Sequence, residues 1–98
     1  MRIDFEDLKE RIGVDTLLEH LGAELPRFGG GFGWRAMRCP FHDDSQASAS
    51  VNYSEGRFRC HACDVGGDII DLARAELALP ETPEGTREAV DWLERELG

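Results

Sequence analysis

CPFHDDSQASASVNYSEGRFRCHACDVGGD, residues 39–68, contains all three cysteines of the 98-residue chain. Cys39 and His42 stand two residues apart, and so do Cys60 and Cys63. Seventeen residues separate the pairs. A two-residue gap lets each pair grip one ion from a single tight turn, and three thiolates with one imidazole suit tetrahedral Zn2+. Four protein donors close the shell and leave no position for a reactive water, so the spacing predicts one structural Zn2+ and no catalytic residue. An odd number of cysteines argues against a disulfide framework. His61 lies between Cys60 and Cys63 and is expected to point away from the ion when both cysteines bind. Asp43 and Asp44 read as a solvated loop pair, and His20 as a solvated helix residue.

The segments around these pairs read as strands. Residues 34–39 (WRAMRC) and 48–53 (SASVNY) are strand-like, 54–56 (SEG) form a turn, and 57–60 (RFRC) return. Cys39 and Cys60 then sit at strand ends, where an ion pins two turns at one edge of a small sheet.

On the N-terminal side, Asp4 is placed to cap a helix carrying Phe5, Leu8 and Ile12 on one face. Gly13 interrupts it. Val14, Leu17, Leu18 and Leu21 continue at helical spacing, and Gly22 supplies a stop. The connector 26–33 (PRFGGGFG) is glycine-rich but lacks the Lys-Ser/Thr of a phosphate-binding loop, and is read as a hairpin-like turn. On the C-terminal side, GGDIIDLARAEL starts a helix with Ile69, Ile70, Leu72, Ala73 and Leu77 mostly on one side. Residues 79–85 break it. A last helix follows, with Thr86 as its cap and Ala89, Val90, Leu93 and Leu97 inward. Trp92 is either core or an exposed anchor. The expected fold is α+β: a zinc ribbon with a small antiparallel sheet flanked by N- and C-terminal helices, one domain over 1–98 with its ribbon core at about 33–68.

A chain this short buries roughly 60–65% of its surface on folding, so a metal adds stability that a modest core lacks. Its 41% apolar and 32% charged residues are those of an ordinary globular protein. No stretch reaches membrane-span length, the N-terminus lacks a signal-peptide apolar run, and the thiols fit the reducing cytoplasm. The net charge of −9 is unevenly spread: −4 over residues 1–25, −7 over 64–98, and +2 over 26–63, where five arginines face three acids. Association with a polyanion depends on that local footprint rather than on the total.

The 39–72 stretch resembles the Cys-His-Cys zinc-binding domain of bacterial and phage DNA primases of the DnaG type. The features that carry the resemblance are Cys39-Pro40-Phe41-His42, Ser48 and Val51, Phe58 two residues before Cys60-x2-Cys63, and Gly66-Gly67-Asp68 opening a helix. VDTLLEHLG and TREAVDWLERELG extend it more loosely. Two departures stand out: Gln46-Ala47-Ser48-Ala49 replaces the usual Thr-Pro-Ser-Phe, and Asp64 replaces the usual glycine after the last cysteine. The resemblance implies a module that engages single-stranded DNA template for primer initiation in replication. Its partner would be a separate Toprim-type catalytic domain, or another replication protein, with no membrane role. The acids here are scattered rather than clustered as a nucleotidyl transferase requires, so the chain is expected not to be an enzyme on its own.

Single-strand binders join cationic grooves to aromatic platforms. Alternation puts Arg57 and Arg59 on one strand face and Phe58 on the other, and it pairs Trp34 with Arg38, with Arg35 opposite. Arg35, Arg38, Arg57 and Arg59 are the candidate DNA contacts, with Tyr53, by the turn, as the candidate stacking residue. On residues alone, arginines that solvate the sheet or pair with acidic helices fit equally well, and the resemblance favours DNA. The alternative function is a zinc-ribbon module that binds only protein.

Overall fold

The computed structural model describes residues 5–26, 33–43 and 46–98. The Asp4 cap, Asp44 and most of the 26–33 connector lie outside the described residues. Four helices and a four-stranded antiparallel sheet follow in the order α1 (Phe5–Arg11), α2 (Val14–His20), β1 (Arg35–Met37), β2 (Ala49–Asn52), β3 (Arg57–Cys60), β4 (Gly66–Gly67), α3 (Ile69–Leu77) and α4 (Pro83–Leu97). The sheet is a meander, β1-β2-β3-β4, with Val51 between Arg35 and Phe58 and Ser50 between Ala36 and Arg59.

Strand alternation sorts the sheet into two faces. Met37, Ala49, Val51, Phe58 and Cys60 point inward and are buried, in one cluster with Leu8, Ile12, Val14, Leu17 and Leu18 of the N-terminal helices. Ile69, Leu72 and Ala73 of α3 and Ala89, Val90 and Leu93 of α4 complete that cluster. The helices therefore cover one face only. Trp34, Ala36, Arg38, Arg57 and Arg59 lie exposed on the other. Leu8 and Ile12 are buried as their spacing predicts, but Phe5 is 40% exposed.

The β2–β3 turn is organised by the buried side chain of Asn52. Its Nδ2 donates to Glu55 Oε2 at 2.8 Å, and its Oδ1 accepts from the Glu55 N–H at 3.1 Å and from the Ser54 hydroxyl at 2.8 Å. A buried amide so fully bonded fixes the hairpin register at little cost.

The glycines of GGD make a strand, not the first turn of a helix. Gly66 pairs with Arg59 and Gly67 with Phe58. A Cβ on Gly66 would press on the Phe58 carbonyl oxygen at 3.0 Å, and Gly67 adopts φ +124, which side chains rarely reach. Asp68 then caps α3: its Oδ1 accepts from the N–H groups of Ile70 and Asp71, while the Asp71 carboxylate accepts from the Asp68 N–H. This reciprocal box satisfies donors that a helix start leaves open. Burial would raise the Asp68 pKa, but its bond to Lys9 (3.0 Å) and the Asp71 N–H outweigh that and hold it below the usual carboxylate value.

Helix α4 begins three residues before the expected Thr86. Thr82 is the cap, its hydroxyl accepting from the Gly85 N–H at 3.1 Å, and Pro83 takes the first turn, where a missing N–H costs nothing. Thr86 instead accepts from Arg74 at 3.0 Å, tying α3 to α4. Arg11 bridges Asp7 and Glu94, joining α1 to α4. Trp92 is half-buried against the core with the His20 ring edge-on to it at 5.7 Å, so it serves the α2–α4 joint. No described helix is long and apolar enough to cross a membrane.

Candidate metal centre and nucleic-acid interface

The sheet brings the two turn pairs together. β1 ends two residues before Cys39 and β3 ends at Cys60, and the β1–β2–β3 register aligns Met37, Ala49 and Cys60 across the sheet. The donor atoms of Cys39, His42, Cys60 and Cys63 all lie within 4.8 Å of one another, the sulfurs of Cys39 and Cys60 on buried residues and His42 and Cys63 half-buried. Cys39 Sγ is 3.7 Å from Cys63 Sγ, and His42 Nε2 is 3.3 Å from Cys60 Sγ. Zn–S bonds of about 2.3 Å and Zn–N bonds of about 2.0 Å set tetrahedron edges of roughly 3.5–3.8 Å. The quartet fits one tetrahedral zinc.

Both pairs share one local geometry. The Phe41 N–H donates to Cys39 Sγ and the Ala62 N–H to Cys60 Sγ, each at 3.4 Å. Each first cysteine thus accepts from the residue two positions on, so the two turns hold their leading sulfurs in the same way. The Ser48 hydroxyl lies 3.5 Å from Cys60 Sγ, and the His42 Nδ1 lies 3.1 Å from the Asp43 carbonyl oxygen. That second contact orients the ring so that Nε2 faces the sulfurs, the usual support of a ligating imidazole. His61 is exposed and outside the quartet.

The sulfurs differ electrostatically before any ion is considered. Burial pushes the Cys39 thiol up to about 12. Burial acts the same way on Cys60, but bonds from Ser48, the Cys63 N–H, His42 and the Ala62 N–H prevail and bring it down to about 6. A dication supplies the charge that three gathered thiolates need, and loading the site releases protons.

The family model of the CHC2 zinc finger, the zinc ribbon of DnaG-type primases, matches residues 2–80. The chain belongs to the CHC2 zinc finger family. The DNA primase of Mycoplasma pneumoniae is 35% identical over 65 residues, 66% of this chain but 10% of that protein. The gene 58 protein of Mycobacterium phage D29 is 46% identical over 43 residues, 44% of this chain and 33% of that protein. A crystal structure of the zinc-binding and RNA polymerase domains of the Aquifex aeolicus primase matches 100% of this chain and 22% of its own, with a TM-score of 0.67 and 29% identity. The chain therefore spans only a small part of the length of the primases it matches. As a CHC2 zinc finger it has, in Cys39, His42, Cys60 and Cys63, a cluster that fits one structural zinc.

The candidate DNA contacts divide between the faces of this zinc finger. Arg38, Arg57 and Arg59 are exposed on the uncovered sheet face. Arg35 is half-buried and points the other way, in the same parity as Met37. Tyr53 is also on the inner side. It continues the alternation of Ala49 and Val51, packs against the core, and donates its hydroxyl to the Pro26 carbonyl at 2.8 Å. The structure thus separates Tyr53 and Arg35 from the other three arginines. The parity that places Phe58 opposite Val51 also places Tyr53 beside Val51, so this separation was available from the strand pattern. Among the described residues, the aromatic that does share the arginine face is Trp34, 43% exposed, with the Arg59 guanidinium 4.9 Å above its ring.

Proposed function

We propose that this zinc finger is the template-engaging module of a DNA primase, holding single-stranded DNA during primer initiation in replication while a separate catalytic domain makes the primer. One observation carries this reading. In a chain of net charge −9, Arg38, Arg57 and Arg59 stand together on a sheet face that none of the described helices covers. A cationic sheet face is the physical requirement for tracking a phosphate backbone. The inward residues Arg35 and Tyr53 act in this scheme as supports behind the turn end of the β2–β3 hairpin.

The zinc shell is closed by four protein ligands, so the metal has no open position for a nucleotide or a water. Polymerisation then requires another domain, and the match to a primase that joins zinc-binding and RNA polymerase domains supports that division of labour. The test is a primer-synthesis assay with this chain, with a DnaG-type polymerase domain, and with both. We expect no primers from this chain alone, and more primers or sharper start-site choice from the mixture than from the polymerase domain. Synthesis by the chain alone contradicts the division of labour. A polymerase domain equally active and equally selective without it contradicts the priming role, and leaves a zinc ribbon that binds protein only.

A further inference from the structure

Trp34 is the largest exposed apolar side chain on the arginine face. Trp34 stands just before β1, and the register carried back from Arg35–Val51 and Asn52–Arg57 sets it at the level of Asn52 and Arg57; the next row of the same face is Ala36 on β1, Ser50 on β2, Arg59 on β3 and Gly66 on β4. Apart from Arg59 the members of that next row are small, and the Arg59 guanidinium reaches over the indole at 4.9 Å. Beyond Arg59, toward the β4 edge, a trough of about 380 Å³ is lined by Arg57, Arg59, His61, Asp64 and Gly66–Gly67. Such a layout offers a π-surface, a planar cation, and a trough that carries two arginines against one aspartate, running diagonally toward β4.

We infer that Trp34 is a base-stacking platform: one unpaired base of a single strand lies on the indole, and the neighbouring phosphates run past Arg59 into the trough beside β4. This rests on the single-strand reading above and adds to it the residue that takes the base. Arg59 is the gatekeeper of the platform, since its guanidinium either caps the indole, as in the free protein, or swings a few ångströms to a phosphate. Both states keep the cation partnered, so moving it costs little. Stacking on an aromatic side chain is worth about 1–3 kcal/mol per base and is indifferent to salt, whereas an arginine on a phosphate changes the salt dependence. The two kinds of contact are therefore separable by experiment.

The experiment uses the zinc-loaded chain in a Trp92→Phe background, so that Trp34 is the sole fluorophore of its kind. It is titrated with a short oligothymidylate and with the same backbone carrying abasic sites. The base-bearing strand quenches Trp34 emission and the abasic strand does not. Trp34→Ala weakens oligothymidylate binding on the order of tenfold with the salt slope unchanged, and Trp34→Phe restores most of the loss. Equal quenching by the abasic strand, or Trp34→Ala binding as tightly as the parent, overturns the platform. If those results come with weakened binding in an Arg57→Ala, Arg59→Ala variant, the single-strand reading stands and only the platform falls. If no variant and no parent binds either strand at low salt, both fall. Should Trp34→Ala fail to fold, the abasic comparison on the parent and the Trp34→Phe affinity decide the matter.

Discussion

Among the described residues, two other than glycine hold a left-handed backbone, Asp64 at φ 59 and Ala78 at φ 53. Asp64 follows the last metal ligand, the position where the resembling primases carry glycine, and the positive φ is the physical reason for that preference. Aspartate tolerates this conformation better than most side chains, because its short polar group bonds locally. Ala78 has no such relief. It closes α3, its N–H bonding Ala75 while the Leu79 N–H bonds Arg74. An L-residue loses about 1–2 kcal/mol there, and glycine returns part of the gain through its freer unfolded chain. Ala78→Gly should therefore stabilise the protein by about 0.5–1 kcal/mol, and Asp64→Gly by less. Thermal unfolding checks the order: a midpoint for Ala78→Gly no higher than the parent's contradicts the strain argument.

At the scale of elements, the hairpins and the metal meet at one edge of the sheet. The quartet and the β2–β3 hairpin were legible in the sequence, because both depend on local spacing: Cys-x2-His, Cys-x2-Cys, and alternating strands around Ser54-Glu55-Gly56. β4 was not legible. Gly66 and Gly67 have poor strand propensity, and they pair with β3 only because the second metal turn folds the chain back beside it. The start of α4 was misplaced for a different reason. Thr82 and Thr86 both suit a cap, and the deciding signal is Pro83 at the first helical position. Since the ion joins the turn after β1 to the turn after β3, its binding free energy is part of the folding free energy of the sheet. Chelation, or Cys60→Ser, should loosen β1, β3 and β4 first, seen as faster amide exchange there than in α4. Affinity should fall as pH falls, because protons compete for His42 and the thiolates. A Cys60→Ser protein with the parent's zinc content and exchange pattern would show that the quartet does not hold the sheet.

For the whole molecule, the distribution of charge matters more than its sum. The acidic segments 1–25 and 64–98 supply all four helices, and the basic middle supplies β1 to β3. The fold thus concentrates Arg38, Arg57 and Arg59 on one face while most of the acids ride on helices behind the sheet. Face assignments followed from strand parity once Phe58 was taken as core, which is why Arg57 and Arg59 were readable as outward. Trp34 carried the same signal through its parity with Arg38, yet its cation–π contact with Arg59 spans three strands and is a product of the fold. The acidic surroundings weaken the long-range pull on a polyanion, so binding by the isolated chain should be modest and confined to low salt. The most direct measurement is the affinity for a single-stranded oligonucleotide as a function of salt, in the parent and in an Arg57→Ala, Arg59→Ala variant. Binding should weaken with salt, and the variant should bind less with its log–log slope reduced by about 1.4. An unchanged slope and affinity in the variant would contradict this expectation.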